Sequence, residues 1–217
     1  MKRSLIVVAA LALSAPALAQ QDRSDMWEFG VLLNNFSSES LDGSNGSSLD
    51  VDSSTGWGLS MNYNFNNHFA LGGEFTWNRP DYSAVFVPTD PTEDPETVNY
   101  ELDIFGVNLK GVWNIIDGPI TPYIEAGLGW ADIDSNIISQ PPITGCWWDP
   151  WWGYICDSFY STYGKTQESY NYAVGIRWDM DSGMTLKASY GVLEIDTGKT
   201  TDDASLDAIR AELSWRF

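Results

Sequence analysis

Beyond residue 26, apolar and polar residues alternate at every second position in one segment after another. That is the two-residue period of a strand with one apolar and one polar face. Trp27, Phe29, Val31 and Leu33 form the apolar face of a first strand, with Glu28, Gly30 and Asn34 opposite. Trp57 to Phe65 and Phe69 to Trp77 repeat the pattern, with Glu74 on the polar side of the second of these. Phe105, Val107, Leu109 and Trp113 oppose Asn108 and Lys110, and Ile124, Ala126, Leu128 and Trp130 oppose Glu125. Three more runs follow: 170–178 around Arg177, 184–192 around Lys187, and 208–217 around Arg210 and Glu212. Eight strands are therefore expected. Val98, Tyr100, Leu102 and Ile104 keep the opposite parity from Phe105 onward, which predicts a bulge or a change of face near Ile104-Phe105.

The connections alternate too. Long polar segments at 37–54, 79–96 and 132–167 are separated by short ones at 66–68, 114–119 and 179–183, with an intermediate one at 196–205. Bacterial outer-membrane barrels show this alternation because both termini lie in the periplasm, where turns are short, while the outer loops are long. A soluble sandwich has no such requirement.

The polar face decides which way the barrel is turned. Glu28, Glu74, Glu125, Glu212, Lys110, Arg177, Lys187 and Arg210 all share it, while the other face is almost free of charge. In a soluble ligand-binding barrel the apolar face would point inward. Four acids and four bases on one face suit a lumen instead, since a charge facing lipid costs several kcal/mol at mid-bilayer, roughly 2–4 for Lys or Arg. The predicted fold is an all-β, eight-stranded, antiparallel up-and-down transmembrane β-barrel.

The N-terminus agrees. Met1-Lys2-Arg3 is a cationic start, an apolar run of about twelve residues follows, and Ala17-Leu18-Ala19 offers small residues to a signal peptidase. The run is short of the roughly twenty residues a spanning helix needs. Residues 1–19 are expected to be a signal peptide cleaved before Gln20, and 20–217 a single barrel domain. The formal charge of −19 becomes −21 without Lys2 and Arg3. Such a surface excludes nucleic acid as a partner, because phosphate neutralisation needs basic side chains. Eleven Trp and ten Tyr in a chain with only 19% charged residues fit two interfacial aromatic girdles.

Two stretches carry a family resemblance. Leu213-Ser214-Trp215-Arg216-Phe217, with a terminal Phe and apolar residues at alternate positions before it, resembles the C-terminal signal that barrel-assembly machinery reads. Thr121-Pro122-Tyr123-Ile124-Glu125-Ala126-Gly127-Leu128-Gly129-Trp130 resembles a strand of the OmpA-like and related outer-membrane β-barrel proteins. The resemblance spans the mature chain and implies eight strands in the outer membrane of a Gram-negative cell. It also implies lipid, lipopolysaccharide and the assembly machinery as partners of a monomer. It leaves function open, since the family includes anchors, narrow pores, adhesins and defence proteins. The third long loop here is larger than is common and rich in Trp.

Three constellations are candidate sites. The eight lumen charges could form a static ionic plug, the favoured reading, or a gate whose pairs exchange partners; breaking such a pair strands a charge. Cys146 and Cys156, the only two cysteines of an exported chain, are expected to form a disulfide around Trp147, Trp148, Trp151 and Trp152. Those four indoles are either a platform for sugar, peptide or lipid headgroups or simply packed on the barrel rim. The loop acids Asp42, Asp50, Asp52, Asp90, Glu93, Asp94, Glu96, Asp202 and Asp203 show no calcium-loop spacing and read as solvated rather than metal-binding.

No catalytic residue, cofactor or metal is expected. The sole histidine, His68, falls in a predicted periplasmic turn, the wrong end for an outer-face hydrolase, and no HExxH, GxSxG or phosphate-binding loop occurs. The expected role is structural or surface-interacting, through long acidic, Trp-bearing outer loops. The alternative is a narrow channel for ions or small apolar molecules, and a soluble exported ligand-binding barrel comes third.

Overall fold

The computed structural model of the chain describes residues 22–42, 46–88, 94–139, 143–149, 151, 153–159, 161–196 and 204–217. The predicted signal peptide therefore lies outside the described residues. In chain order the strands are β1 (Met26–Phe36), β2 (Glu39–Asp42), β3 (Ser48–Val51), β4 (Ser54–Asn64), β5 (Phe69–Asn78), β6 (Asp81–Phe86) and β7 (Glu96–Glu101). They continue with β8 (Asp103–Asn114), β9 (Ile120–Ile138), β10 (Ile143–Asp149), β11 (Gly153–Phe159), β12 (Thr162–Asp179), β13 (Met184–Ile195) and β14 (Ala204–Arg216).

Eight of them close a barrel in the order β1-β14-β13-β12-β9-β8-β5-β4. Every neighbouring pair is antiparallel, and the closing pair sets Phe29 opposite Trp215 and Leu33 opposite Ala211. Closure leaves no strand edge unpaired, which is what a strand needs in hydrocarbon, where water cannot satisfy its amides. The alternation seen in the sequence sorts the faces. Leu109 and Trp130 point outward at 53% and 55% exposure, while Glu28 and Arg177 point inward and are buried. Apolar outside and charged inside is the arrangement lipid requires.

Aromatic rings mark the two ends of the apolar belt. Trp57, Trp77 and Phe105 pack in a row at the end carrying the long connections, with centroids 4.5 and 5.3 Å apart. Trp27, Tyr63 and Phe65 form a row at the other end, with centroids 5.0 Å apart in each pair. Short turns at 65–68, 115–119 and 180–183 lie at this second end, as do both described chain ends: the Trp27 amide donates to the Phe217 carbonyl at 3.0 Å. Gly183 takes φ +81° in the last of those turns, a left-handed conformation that glycine adopts without strain.

The outer connections depart from expectation. Segments 37–54 and 79–96 are not simply polar loops, because their short apolar alternations find each other and pair as a four-stranded sheet in the order β2-β3-β6-β7. Val51, Tyr82 and Ala84 are its buried face, with Leu49, Val98, Leu102 and Ile137 packed against them. Segment 132–167 is also mostly strand. β9 runs on to Ile138 and β12 starts at Thr162, so the two rise well above the belt as a paired wall. The connection that remains carries its own hairpin, β10-β11. The parity change near Ile104-Phe105 is no bulge. Leu102 separates β7 from β8, its amide donating to the Pro80 carbonyl at 2.8 Å, and the chain there passes from the loop sheet into the barrel wall.

Candidate functional site

The barrel lumen gathers all eight predicted charges. Glu74 accepts from Lys110 at 2.7 Å and forms an ion pair with Arg210 at 3.1 Å. Glu125 shares the same two cations, at 3.5 and 3.3 Å. Glu212 meets Lys187 at 3.1 Å and Lys110 at 3.9 Å, and also accepts from the Ser60 hydroxyl at 2.8 Å. Lys187 reaches on to Glu28 at 2.9 Å, and Glu28 also pairs with Arg177. Each cation thus touches at least two carboxylates or passes to the next pair. The free space among these side chains is about 10 Å³, room for roughly one water.

The network extends beyond what the sequence suggested. Arg177 also meets Asp179 at 2.9 Å, and Asp179 in turn holds Arg23 at 2.5 Å, Arg216 at 3.7 Å and the Thr185 hydroxyl at 2.7 Å. Arg23, fully buried, also donates to the Asn67 carbonyl at 2.9 Å and to the Gly118 carbonyl. A segment ahead of the first strand is thereby folded across the short-turn end of the lumen. Arg23 and Asp179 lie outside the alternating runs, so no periodicity pointed to them.

At the opposite end the lumen turns apolar. Phe36, Ala131, Leu193, Ile195, Leu206 and Ala208 pack as one cluster above the charges. Between this cluster and the buried face of the loop sheet lies a cavity of about 510 Å³. Leu49, Val51, Ala84, Leu102, Ile133 and Ile137 supply much of its wall, and Glu39, Asp42, Lys165 and Gln167 border it. Its volume falls within the roughly 300–1,000 Å³ usual for small-molecule sites. Short sets of residues from strands distant in the sequence make this wall, so no contiguous motif announced it.

A clasp fastens the loop sheet to the barrel beneath it. Arg79, just after β5, pairs with Asp103 at the start of β8, and the Asn136 side-chain amide donates to the same carboxylate at 2.9 Å. Partial burial pushes the Asp103 carboxyl up, but the hydrogen bonds from Asn136 and Arg79 prevail and hold it below its ordinary value.

The remaining candidates are placed as follows. Cys146 and Cys156 face each other across β10-β11 and are disulfide-bonded. Trp148 and Tyr154 are cross-strand partners in the same hairpin; both are exposed, and Trp151 at its tip is 88% exposed. Trp152 and the side chain of Trp147 lie outside the described residues, as do Asp90, Glu93, Asp202 and Asp203. Among the described residues no three His, Cys, Asp or Glu side chains are grouped to hold a metal ion. His68 sits in the short turn at 65–68, 3.2 Å from Asp117 and stacked on Trp113. Phe217 stacks on Phe29 with centroids 5.3 Å apart, on the lipid side.

A closed barrel with charges inside, an apolar belt and two aromatic girdles defines a transmembrane β-barrel of the outer-membrane kind. The family model for the outer membrane protein beta-barrel domain matches residues 5–217, so the chain belongs to that family and its place is the outer membrane. No curated protein matches the chain. Among solved structures it is similar to the outer membrane protein OprG of Pseudomonas aeruginosa, with a TM-score of 0.53 and 10% identity over 91% of this chain and 98% of that one. The N-terminal barrel domain of OprF from the same organism gives 0.49 and 14%, over 91% and 100% of the two chains. Ail of Yersinia pestis gives 0.49 and 16%, over 89% and 99%.

Proposed function

We propose that the protein is a surface-facing binding barrel: a plugged transmembrane anchor carrying a receptor site for a small apolar molecule at its outer mouth. One observation carries this reading, the contrast between about 10 Å³ of space among the lumen charges and about 510 Å³ of mostly hydrocarbon-lined space directly above them. A conducting pore would need the reverse. Burial of apolar surface is the dominant favourable term in capturing such a ligand, so a cavity of this lining favours an apolar guest over an ion. No catalytic role belongs to this reading, because His68 lies at the far end from the cavity. The terminal Phe217 is proposed as the feature that the barrel-assembly machinery recognises, and the working form as a monomer surrounded by lipopolysaccharide.

The test uses protein in lipid nanodiscs and N-phenyl-1-naphthylamine, a neutral apolar fluorophore, with empty nanodiscs as the blank. Saturable binding above the blank is expected. Ala84→Trp should weaken it at least tenfold by filling the cavity, whereas Glu125→Gln should leave it unchanged. Heat-modifiable gel mobility confirms that each variant is folded. Fluorescence no greater than that of empty nanodiscs, with folded protein, would remove the reading.

A further inference from the structure

We infer that the mouth cavity is built for an aliphatic carboxylate, with the Lys165 ammonium as the partner of its anionic head; this rests on the cavity being a ligand site. The first observation is a matter of accounting. Arg23, Arg79, Lys110, Arg177, Lys187, Arg210 and Arg216 each have a carboxylate within ion-pair distance. Among the described residues Lys165 is the one Lys or Arg without such a partner. In a chain of net charge −19, where carboxylates far outnumber cations, an unpaired lysine is the exception.

The second observation is position. Lys165 shares the lumen-side parity of β12 with Gln167 and buried Ser169, and it borders the cavity opposite Ile133, its cross-strand partner on β9. An exposed ammonium at the rim with hydrocarbon beneath it matches a molecule with one anionic end and an apolar tail. The head keeps part of its hydration beside Lys165, so neither charge is left stranded in a dry interior. The tail reaches the apolar wall formed by Ile133, Ile137, Leu49 and Leu102. The rival polarity is set by Glu39 and Asp42 on β2, which also border the cavity and would hold a cationic head. Neither pairs with Lys165, so the ammonium remains available. The overall acidity of the molecule repels anions at long range. A carboxylate therefore gains its foothold only where a local cation offsets that field, and Lys165 is the cation at this cavity.

The measurement is displacement of N-phenyl-1-naphthylamine from the nanodisc-embedded full barrel by decanoate, decan-1-ol and decylamine at neutral pH, corrected with empty nanodiscs. Decanoate should displace the probe at least tenfold more tightly than decanol. Lys165→Gln should bring decanoate down to the level of decanol, and Lys165→Glu should reverse the order in favour of decylamine. Each added methylene from octanoate to decanoate should tighten binding by up to about fourfold, the worth of one buried CH₂. Probe binding with all three chains equal, or a decanoate preference that survives Lys165→Gln, overturns the assignment while leaving the apolar site intact. A decylamine preference in the unmodified protein would move the polar contact to Glu39 and Asp42. A probe that does not bind at all takes both readings down together.

Discussion

At the scale of single residues, Glu74 shows why the lumen is hard to edit. Its two oxygens serve Lys110 at 2.7 Å and Arg210 at 3.1 Å, and the side chain is almost completely buried. Replacing it with Gln keeps the volume but leaves two cations sharing Glu125 and Glu212. Removing one member of a buried ionic group costs about 3–5 kcal/mol, because the partner's charge stays behind without compensation. Glu74→Gln should therefore lower the unfolding free energy of the vesicle-inserted barrel, from a urea titration followed by Trp fluorescence, by that amount. Glu125→Gln should lower it less, since its contacts are longer, at 3.5 and 3.3 Å. Gly175 fixes a different kind of limit. A Cβ there would fall 2.5 Å from the Ala188 carbonyl oxygen and 2.7 Å from the Tyr123 ring, which lies over the glycine inside the lumen. Gly175→Ala should cost about 1–3 kcal/mol in the same titration, the usual toll of overpacking.

At the scale of elements, the loop sheet depends on the clasp of Arg79, Asp103 and Asn136. The folded Asp103 carboxyl titrates below its ordinary value of 3.8, so its contribution is fully present above that value and is lost as the pH falls through the lower folded one. Hydrogen exchange in β6 and β7 should accordingly be flat from neutral pH down to about 5 after correction for intrinsic rates, then accelerate below about 4. In Asp103→Asn exchange should be faster at neutral pH, with the acid step reduced. The same elements mark where the sequence was legible and where it was not. The barrel strands could be read because ten or more residues in each, as in Phe69–Asn78, alternate against one continuous lipid phase. β2 and β3 have four residues each, and β3 takes its second partner, β6, from a different connection, so their alternation was too short to separate from polar loop. Parity alone put the lumen charges on one face, but which carboxylate meets which cation depends on barrel stagger. Arg23 and Asp179 had no periodicity to announce them. The cavity was invisible for the same reason, being assembled from a few residues of each of many strands that are distant in the sequence.

At the scale of the whole molecule, charge is divided by depth. The lumen network holds six cations, Arg23, Lys110, Arg177, Lys187, Arg210 and Arg216, against five carboxylates, Glu28, Glu74, Glu125, Glu212 and Asp179. The lumen network is thus +1, and all of the molecule's net negative charge lies outside it. The interior is close to neutral and nearly filled, and it is closed twice: by the Glu74–Lys110–Arg210 group at mid-depth and by the Arg23 latch at the short-turn end. Two closures in series give a prediction that one closure would not. The refolded barrel in a planar bilayer should be silent, and Arg23→Ala should be silent as well, because the group above still leaves space for only about one water. Discrete steps should appear only when two large inward side chains are removed together without changing net charge, as in Glu74→Ala with Arg210→Ala. Steps in the unmodified protein would mean that the pairs exchange partners on the millisecond scale, and the lumen would then be a gate. Steps in Arg23→Ala alone would make the N-terminal latch the sole seal. Silence in all three, with heat-modifiable folding confirmed, would show that the remaining side chains collapse into the space, as a nearly filled eight-stranded interior permits.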